Sequence, residues 1–258
     1  MEHLAIVIVL IVLALLIVVI LAIWLDNWRI EYEEFAFGKE GGRELKLAHL
    51  SDLHFPKETV NLDLLVKELA AREVDAVVIT GDLISRHSDY KTCGVLEFVE
   101  KLTAHCPVYF VEGNHERDNK RGAEFSDALA SRGVHVISDR VADLDGVVLL
   151  GVSDRHKTAP LTTAGGFRIL LAHRPELAES FKGAEPDLIL SGHAHGGQFR
   201  IFKRGLYAPG QGIFPKYTSG AYQLSDKTTL IVSRGIGKSK FPFRLNNRPH
   251  VPIITIKY

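Results

Sequence analysis

Two histidines one residue apart, His193 and His195, stand in the glycine-framed stretch Ser191-Gly192-His193-Ala194-His195-Gly196-Gly197, directly after the apolar run Leu188-Ile189-Leu190. Imidazoles at that spacing can turn toward a common point only if the backbone leaves the sheet there, which glycine permits. A lone His-x-His pair is common by chance. The pair gains weight from polar residues that recur upstream in the same setting: Asp52 and His54, Asp82, Asn114 with His115, and His173 each fall just past an apolar run. The ends of several strands can converge in space although they are far apart in sequence.

Together these blocks supply two carboxylates, one amide and several imidazoles. Such a mixture of oxygen and neutral nitrogen donors suits Mn, Fe or Zn better than the all-oxygen shell that Ca or Mg prefers. It has donors enough for two divalent ions. Two cations ~3.5–4 Å apart repel strongly unless a shared anion and a shared hydroxide lie between them. Asp82, central in the order and followed by no second carboxylate, is the candidate bridge. A centre of this kind draws a phosphate oxygen onto each ion, and the metal-bridging hydroxide attacks phosphorus in line with the leaving oxygen, so hydrolysis of a phosphate ester is the expected reaction. His115, beside Asn114, is placed to protonate the leaving group instead of binding metal. Arg86, Arg117 and Arg174 follow the blocks closely, and each reads either as a bidentate phosphate contact or as a solvated surface arginine.

The elements that must position these residues follow from periodicity. Leu45–Leu50 reads as a strand ending at Ser51-Asp52-Leu53-His54, and on an extended backbone Asp52 and His54 would share a face. His49, on the opposite parity, reads as a core or supporting histidine. A helix over 61–72 capped by Asn61, a strand over Val74–Thr80, a helix over 92–104, the strand Pro107–Val111 and a helix over 121–131 make parallel crossovers. Beyond the short strand Val134–Ile137 the character changes to strands with short connections: Val147–Val152, Phe167–Ala172, Leu188–Leu190, Gln198–Phe202, Thr229–Val232 and Val251–Ile256. The expected class is α/β, two sheets packed together with helices outside. The segment Gly205 to Arg248, rich in glycine and aromatics, reads as a loop wall near the site or as packing for the second sheet. His3, His87, His105, His135, His156 and His250 show no ligand pattern.

From Leu4 to Leu25 all twenty-two residues are apolar, and Trp24 and Trp28 stand at the far end. That length at the helical rise spans a bilayer core of ~30 Å. A cleaved signal peptide fits less well: Met1-Glu2-His3 carries no Lys or Arg, and Leu25-Asp26-Asn27-Trp28 is not a small-x-small site. The domain reading is therefore a transmembrane anchor over 1–25, a juxtamembrane linker over 26–44 with a short strand around Ile30–Phe37, and a catalytic domain over 45–258. The protein is expected in the membrane as a single-pass chain. Arg29, Lys39 and Arg43 follow the helix while no Lys or Arg precedes it, which leans toward a cytoplasmic domain without deciding the side. Lys238, Lys240, Phe241 and Phe243 read as a basic and apolar edge that could touch lipid.

Across 258 residues, 31 lysines and arginines balance 31 aspartates and glutamates, so there is no basic excess of the kind nucleic-acid binding requires. No partner protein is indicated. The two cysteines, Cys93 and Cys106, form no Cys-x-x-Cys pair, and their spacing leaves a disulfide open.

The ordered blocks Asp52-x-His54, Gly81-Asp82, Gly113-Asn114-His115, His173 and Gly192-His193-x-His195 resemble those of the calcineurin-like metallophosphoesterases. The run Leu206–Gly212, Ser233-Arg234-Gly235 and Asn247-Arg248-Pro249 are similar to their small bacterial phosphodiesterase branch, the YkuE/YaeI type. The resemblance covers roughly 45–257 and implies a sandwich of two mixed β-sheets with flanking helices. By position it implies that Asp52, His54, Asp82 and His195 hold one ion and that Asp82, Asn114, His173 and His193 hold the other. One departure is His250, where an acidic residue is expected after Pro249. Two alternatives to a phosphodiesterase stand beside it: a hydrolase of a lipid-linked pyrophosphate, of the UDP-2,3-diacylglucosamine diphosphatase kind, and a metal-free scaffold. A scaffold tolerates loss of ligands, and none of the blocks is missing.

Overall fold

Apolar runs too continuous to face water on either side become the central strands of two sheets, because only a layer on each face removes both from solvent. The computed structural model describes residues 2–38, 42–58, 60–160, 162, 164–238 and 243–258. Lys39, Lys240 and Phe241 lie outside the described residues.

In chain order the helices are α1 (Glu2–Trp28), α2 (Leu62–Ala71), α3 (Val95–Thr103), α4 (Asn114–Asp118) and α5 (Gly122–Ala130). The first strands are β1 (Glu31–Gly38), β2 (Glu44–Leu50), β3 (Ala76–Ile79), β4 (Val108–Phe110) and β5 (Val134–Val136). Then come β6 (Val141–Leu144), β7 (Val147–Val152), β8 (Arg168–Ala172) and β9 (Leu188–Ser191). Four two-residue strands follow, β10 (Arg200–Ile201), β11 (Arg204–Gly205), β12 (Tyr207–Ala208) and β13 (Gly212–Ile213). The chain ends with β14 (Gly220–Gln223), β15 (Thr229–Val232) and β16 (His250–Lys257).

The first six-stranded sheet has the order β1-β16-β2-β3-β4-β5, with β2 to β5 parallel and β16 antiparallel to β2. The second has the order β14-β15-β9-β8-β7-β6, with β15, β9, β8 and β7 parallel between two antiparallel edges. Alternation along β2 explains the layering: Leu45 and Leu47 face the second sheet in one apolar cluster with Leu149, Leu171 and Leu190, while Ala48 and Leu50 face α2, α3 and α5 in another. A 3-10 helix, Pro175–Ala184, covers the outer face of the second sheet through Ala178 and Phe181.

The expected two-sheet architecture is present, with local differences. The α2 cap is Asn61, whose side chain accepts from Leu64 N at 2.9 Å. Helix α3 starts at Val95 and not near 92, because Gly94 adopts a left-handed φ of 86 and breaks the turn. The strand expected near Ile30–Phe37 pairs parallel with β16, so part of the linker is an edge of the first sheet. The expected strand Gln198–Phe202 is instead a small hairpin, β10 on β11, whose apolar residues face outward. Edge strands β6 and β14 escaped the sequence reading because half their residues face solvent and carry little apolar signal. Cys93 and Cys106 are both free thiols.

Helix α1 includes a segment, Glu2–Leu25, long and apolar enough to cross a membrane. Its end is tied to the sandwich: Asn27 donates through Nδ2 to the Arg244 carbonyl at 3.1 Å and accepts from Arg244 N at 3.0 Å.

Candidate metal centre

Every block singled out in the sequence lies just beyond a parallel strand: Asp52 and His54 after β2, Asp82 after β3, Asn114 after β4, His173 after β8, and His193 with His195 after β9. The carboxyl ends of the two sheets meet, which is where open α/β sheets present their functional loops. Asp52, His54, Asp82, His193 and His195 all have positive φ, from 45 to 63. A left-handed non-glycine residue costs roughly 1 kcal/mol or more, and a cluster of them marks a site whose geometry the surrounding fold enforces. Asp52 and His54 therefore meet through tight turns and not through strand parity. Gly81 makes those turns possible at one point: a Cβ there would lie 2.5 Å from the Gly113 Cα.

The donor atoms form two adjoining groups. In the first, His54 Nε2 and His195 Nε2 are 3.0 Å apart, and Asp52 Oδ1 is 3.3 Å from His195 and 3.8 Å from His54. In the second, His173 Nε2 lies 3.1 Å from Asn114 Oδ1, 3.1 Å from His193 Nδ1 and 3.3 Å from Asp82 Oδ2. Asp82 Oδ2 is also 3.8 Å from His54 Nε2, so this one oxygen faces both groups. Donors sharing an ion at ~2.1 Å stand about 3.0–3.4 Å apart in octahedral or tetrahedral arrangement, and most of these separations fall there. All seven residues are buried.

The electrostatics also fit cations. Asp52 Oδ2 accepts from Ser51 Oγ at 2.7 Å and His193 N at 2.9 Å, while Oδ1 is buried with no hydrogen-bond partner and points into the first group. Burial and the like charge of Asp82 push the Asp52 carboxyl up to about 6. Burial holds His54 down to about 3 and His195 well below the ordinary imidazole range, so both rings are neutral donors. At His173 burial opposes a proton, but the charge and hydrogen bond of Asp82, with Asp52 and Asp154, push it up to about 10. Burial likewise opposes the Asp82 charge, which His173, His54 and His115 nevertheless hold well below the carboxylate range. The Nδ1 of His173 faces the Thr80 carbonyl at 2.8 Å, so the cation is wanted at Nε2. A proton takes that place when nothing else does.

His115 differs from the others. Its Nδ1 accepts the Arg86 backbone N–H at 3.0 Å, which puts the ring proton of the neutral form on Nε2, 3.9 Å from Asp82 Oδ2. Nε2 falls within ligand distance of His54 and Asp82, yet a nitrogen that carries a proton has no lone pair for a metal.

Of the supporting residues, Glu116 and Asp154 were not singled out from the sequence, and Asn247 entered it only within the run Asn247-Arg248-Pro249. Glu116 is fully buried and accepts backbone N–H groups from Asp82 (2.8 Å), Gly113 (2.9 Å) and Ile84 (3.0 Å). Asp154 pairs with Arg117 at 2.5 Å and Arg174 at 2.5 Å. Asn247 donates to the His195 and Gln198 carbonyls, both at 2.8 Å. Asp154 stands two residues past β7, so the rule that found the other blocks also reaches it. Glu116 and Asn247 act on backbone groups, so neither role is marked by a position at a strand end. His49 is a buried supporting residue, 2.7 Å from Thr80 Oγ1.

The groups open into a cavity of ≈ 570 Å³ lined by His54, Asp82, His115, Lys57, Arg86 and Arg174 among others. His87, unassigned from sequence, and Pro209 of the Gly205–Arg248 segment also line it, whereas Tyr217 and Tyr222 of that segment pack the second sheet. Arg117 and Arg174 are held by Asp154, and Arg86 pairs with Asp118 at 3.0 Å, so none is simply solvated. A roomier cleft of ≈ 640 Å³ beside Trp28 contains none of the strand-end residues. Size alone does not mark the chemistry.

A family model described as calcineurin-like phosphoesterase matches residues 45–197, which contain all seven clustered residues and His115. The chain belongs to the calcineurin-like phosphoesterases. It is 29% identical over 225 residues to the uncharacterized metallophosphoesterase YkuE of Bacillus subtilis, covering 81% of this chain and 76% of that protein. It is 26% identical over 235 residues to the phosphodiesterase YaeI of Escherichia coli, covering 86% and 85% respectively. A bovine transmembrane protein with a metallophosphoesterase domain is 28% identical over 235 residues, 80% of this chain and 52% of that protein. The family resemblance read from the motifs is thus the correct one, and this phosphoesterase is a metal-dependent enzyme of the phosphoric ester hydrolase class.

Proposed function

We propose that the chain is a membrane-anchored phosphodiesterase working with two divalent ions, of which Mn, Fe and Zn match the donor chemistry best. The observation that carries this reading is Asp82 Oδ2, which faces both donor groups from one buried position. Asp52, His54, Asp82 and His195 would hold one ion; Asp82, Asn114, His173 and His193 would hold the other. When bound, the ions would supply Lewis acidity that polarises a phosphate and acidifies water.

The remaining work falls to the chain's own side chains. Lys57, Arg86 and Arg174 give the cavity a cationic wall that attracts a phosphate anion, and Asp154 fixes the Arg174 guanidinium in its fork geometry. His115 presents its Nε2 proton to the leaving oxygen, and burial, with nearby cationic groups, holds its pKa below the ordinary value. His193 Nε2 lies 3.1 Å from Arg174 and 3.9 Å from Glu176 Oε1, so Glu176 is the acceptor available once Nδ1 is engaged by a cation. Glu2–Leu25 would span the bilayer once, with Trp24 and Trp28 at the interface.

The test is a metal analysis of the full chain in detergent together with rates on a chromogenic phosphodiester and on a nucleotide-lipid pyrophosphate, with Mn²⁺ supplied. Two ions per chain and turnover of the diester are expected. Faster cleavage of the pyrophosphate would move the reading to the lipid-linked alternative, and inactivity with every divalent ion would leave a scaffold. His115→Asn is expected to lower kcat by about 10²–10⁴ while both ions stay bound. Loss of an ion in that variant would make His115 a ligand.

A further inference from the structure

The two small hairpins beside the metal centre carry apolar side chains that no other part of the described chain covers. Phe202 is 96% exposed, Phe214 75% and Ile213 74%, and Ile201 is exposed as well. Phe202 (φ 49), Lys203 (φ 65) and Phe214 (φ 53) are left-handed, so two bulky aromatics are held outward at a backbone cost as well as a solvation cost. Between Gln198 and Tyr217 the chain has the cations Arg200, Lys203, Arg204 and Lys216 and no carboxylate. Phe214 N donates to Leu206 O at 2.9 Å and Leu206 N to Phe199 O at 3.0 Å, so the bases of both hairpins meet at one residue.

This surface is joined to the end of helix α1 by one short segment. Asn27 is bonded twice to the Arg244 backbone. The next residue, Leu245, accepts from Arg200 N at 3.2 Å, and the rings of Phe199 and Phe243 lie 5.5 Å apart. Asn27 is two residues beyond Leu25, ~3 Å along the helix axis. If α1 spans a bilayer, residues 243–246 lie at the level of the headgroups, and the first hairpin leaves from that level. The chain continues from this segment to the metal centre, through Asn247 on the His195 carbonyl and Arg244 on the carbonyl of Gly235 at 3.2 Å, a glycine packed against Asp52.

We infer that the hairpins Arg200–Gly205 and Tyr207–Ile213, with Phe202 at the tip of the first and Phe214 exposed at the base of the second, dock into the headgroup region of an anionic phospholipid bilayer and turn the catalytic cavity toward phosphoesters carried at the lipid surface. Exposed aromatics beside the exposed cations Lys203, Arg204 and Lys216, in a stretch that itself carries no carboxylate, are what an anionic interface takes up, although Glu179 lies 3.9 Å from Lys216. The inference rests on the reading of Glu2–Leu25 as a membrane span and of the cavity as a phosphoesterase site.

The full chain, reconstituted in vesicles containing anionic phospholipid, tests it. An environment-sensitive fluorophore is attached at Phe202→Cys, Phe214→Cys or Asp226→Cys, each in a Cys93→Ala, Cys106→Ala background. Asp226 is exposed in the turn between β14 and β15, at the amino end of β15 and so at the opposite end of the sheet from the metal centre. Quenching by spin-labelled lipid at 202 and 214 but not at 226 is expected. Labels at 202 and 214 that lipid does not quench, whether solvated or shielded by a second copy of the chain, overturn the inference, as does equal quenching at 226. In parallel, Phe202→Ser with Phe214→Ser is expected to cleave a soluble chromogenic diester within about two-fold of the parent and a bilayer-resident phosphodiester about ten-fold more slowly. Equal loss on both substrates refutes the role in substrate access. A parent protein that quenches as expected but cleaves neither substrate removes the phosphoesterase reading alone.

Discussion

Asp82→Asn should lower kcat/KM for a phosphodiester by about 10⁴ and leave the chain unable to hold two ions together. The substitution keeps the shape of the side chain and an oxygen to accept the His115 N–H, which is now bonded to Asp82 Oδ1 at 2.8 Å. What it removes is the one negative charge facing both donor groups. Two divalent cations a few ångströms apart then repel without a common anion between them. Several kcal/mol of Lewis-acid stabilisation disappear, and each 1.36 kcal/mol is ten-fold in rate, hence the estimate of about 10⁴. Metal content by mass spectrometry and the rise in Tm on adding Mn²⁺ read the binding, and steady-state kinetics read the chemistry. A variant with two ions per chain and kcat/KM within ten-fold of the parent would sink the bridging role of Asp82. The electrostatics of the metal-free protein give a second readout. The Asp82 charge leads the influences that raise His173, against burial, to about 10, so in Asp82→Asn the His173 imidazole should titrate well below that value by NMR.

The clustered residues were legible because each is polar and stands immediately after an apolar run. In a sheet whose strands are parallel, that position in sequence is a position in space: the carboxyl edge. The same reasoning recovers Asp154 after β7, although its partners Arg117 and Arg174 read from sequence only as phosphate contacts or surface charges. Asp52 and His54 were placed together by an argument from strand parity that does not hold, since both have left-handed backbone. They converge because the fold enforces two tight turns, which no period-2 pattern reports. The apolar alternation around Phe199, Ile201 and Phe202 reads as a strand because periodicity does not distinguish a face buried against a sheet from one turned outward. Glu116 is the clearest case of what stays hidden. A glutamate inside Gly113-Asn114-His115-Glu116 looks like any first-turn acid of a helix, and its role depends on three backbone N–H groups brought together only after β3 and β4 are paired.

That role makes Glu116→Ala the substitution with the largest expected cost outside the ligands. One carboxylate ties the N–H groups of Asp82 and Ile84, in the loop after β3, to that of Gly113, after β4. The truncation leaves three buried donors to be satisfied by whatever water enters the space. At roughly 1–3 kcal/mol for each buried group left without a partner, with partial rescue by water, about 3 kcal/mol of stability should be lost. For a domain of this size that corresponds to a fall in Tm of about 9 °C. The loop that aims Asp82 would also loosen against Asn114, so metal affinity should drop by about 10–100-fold, as for other residues that orient ligands without touching the ion. Glu116→Gln separates the two contributions. Burial and the Asp82 charge push the Glu116 carboxyl up to about 8, against the three N–H bonds it accepts, and a neutral isostere of the same shape separates the hydrogen bonding from the charge. Its amide oxygen can keep the Asp82 and Gly113 bonds while its NH₂ group opposes the Ile84 N–H, so the variant should fall between the parent and Glu116→Ala in both Tm and metal affinity. Thermal unfolding by circular dichroism and Mn²⁺ titration measure the two quantities. If Glu116→Ala melts and binds metal like the parent, the two strand ends are held together by the sheet itself and the carboxylate is dispensable.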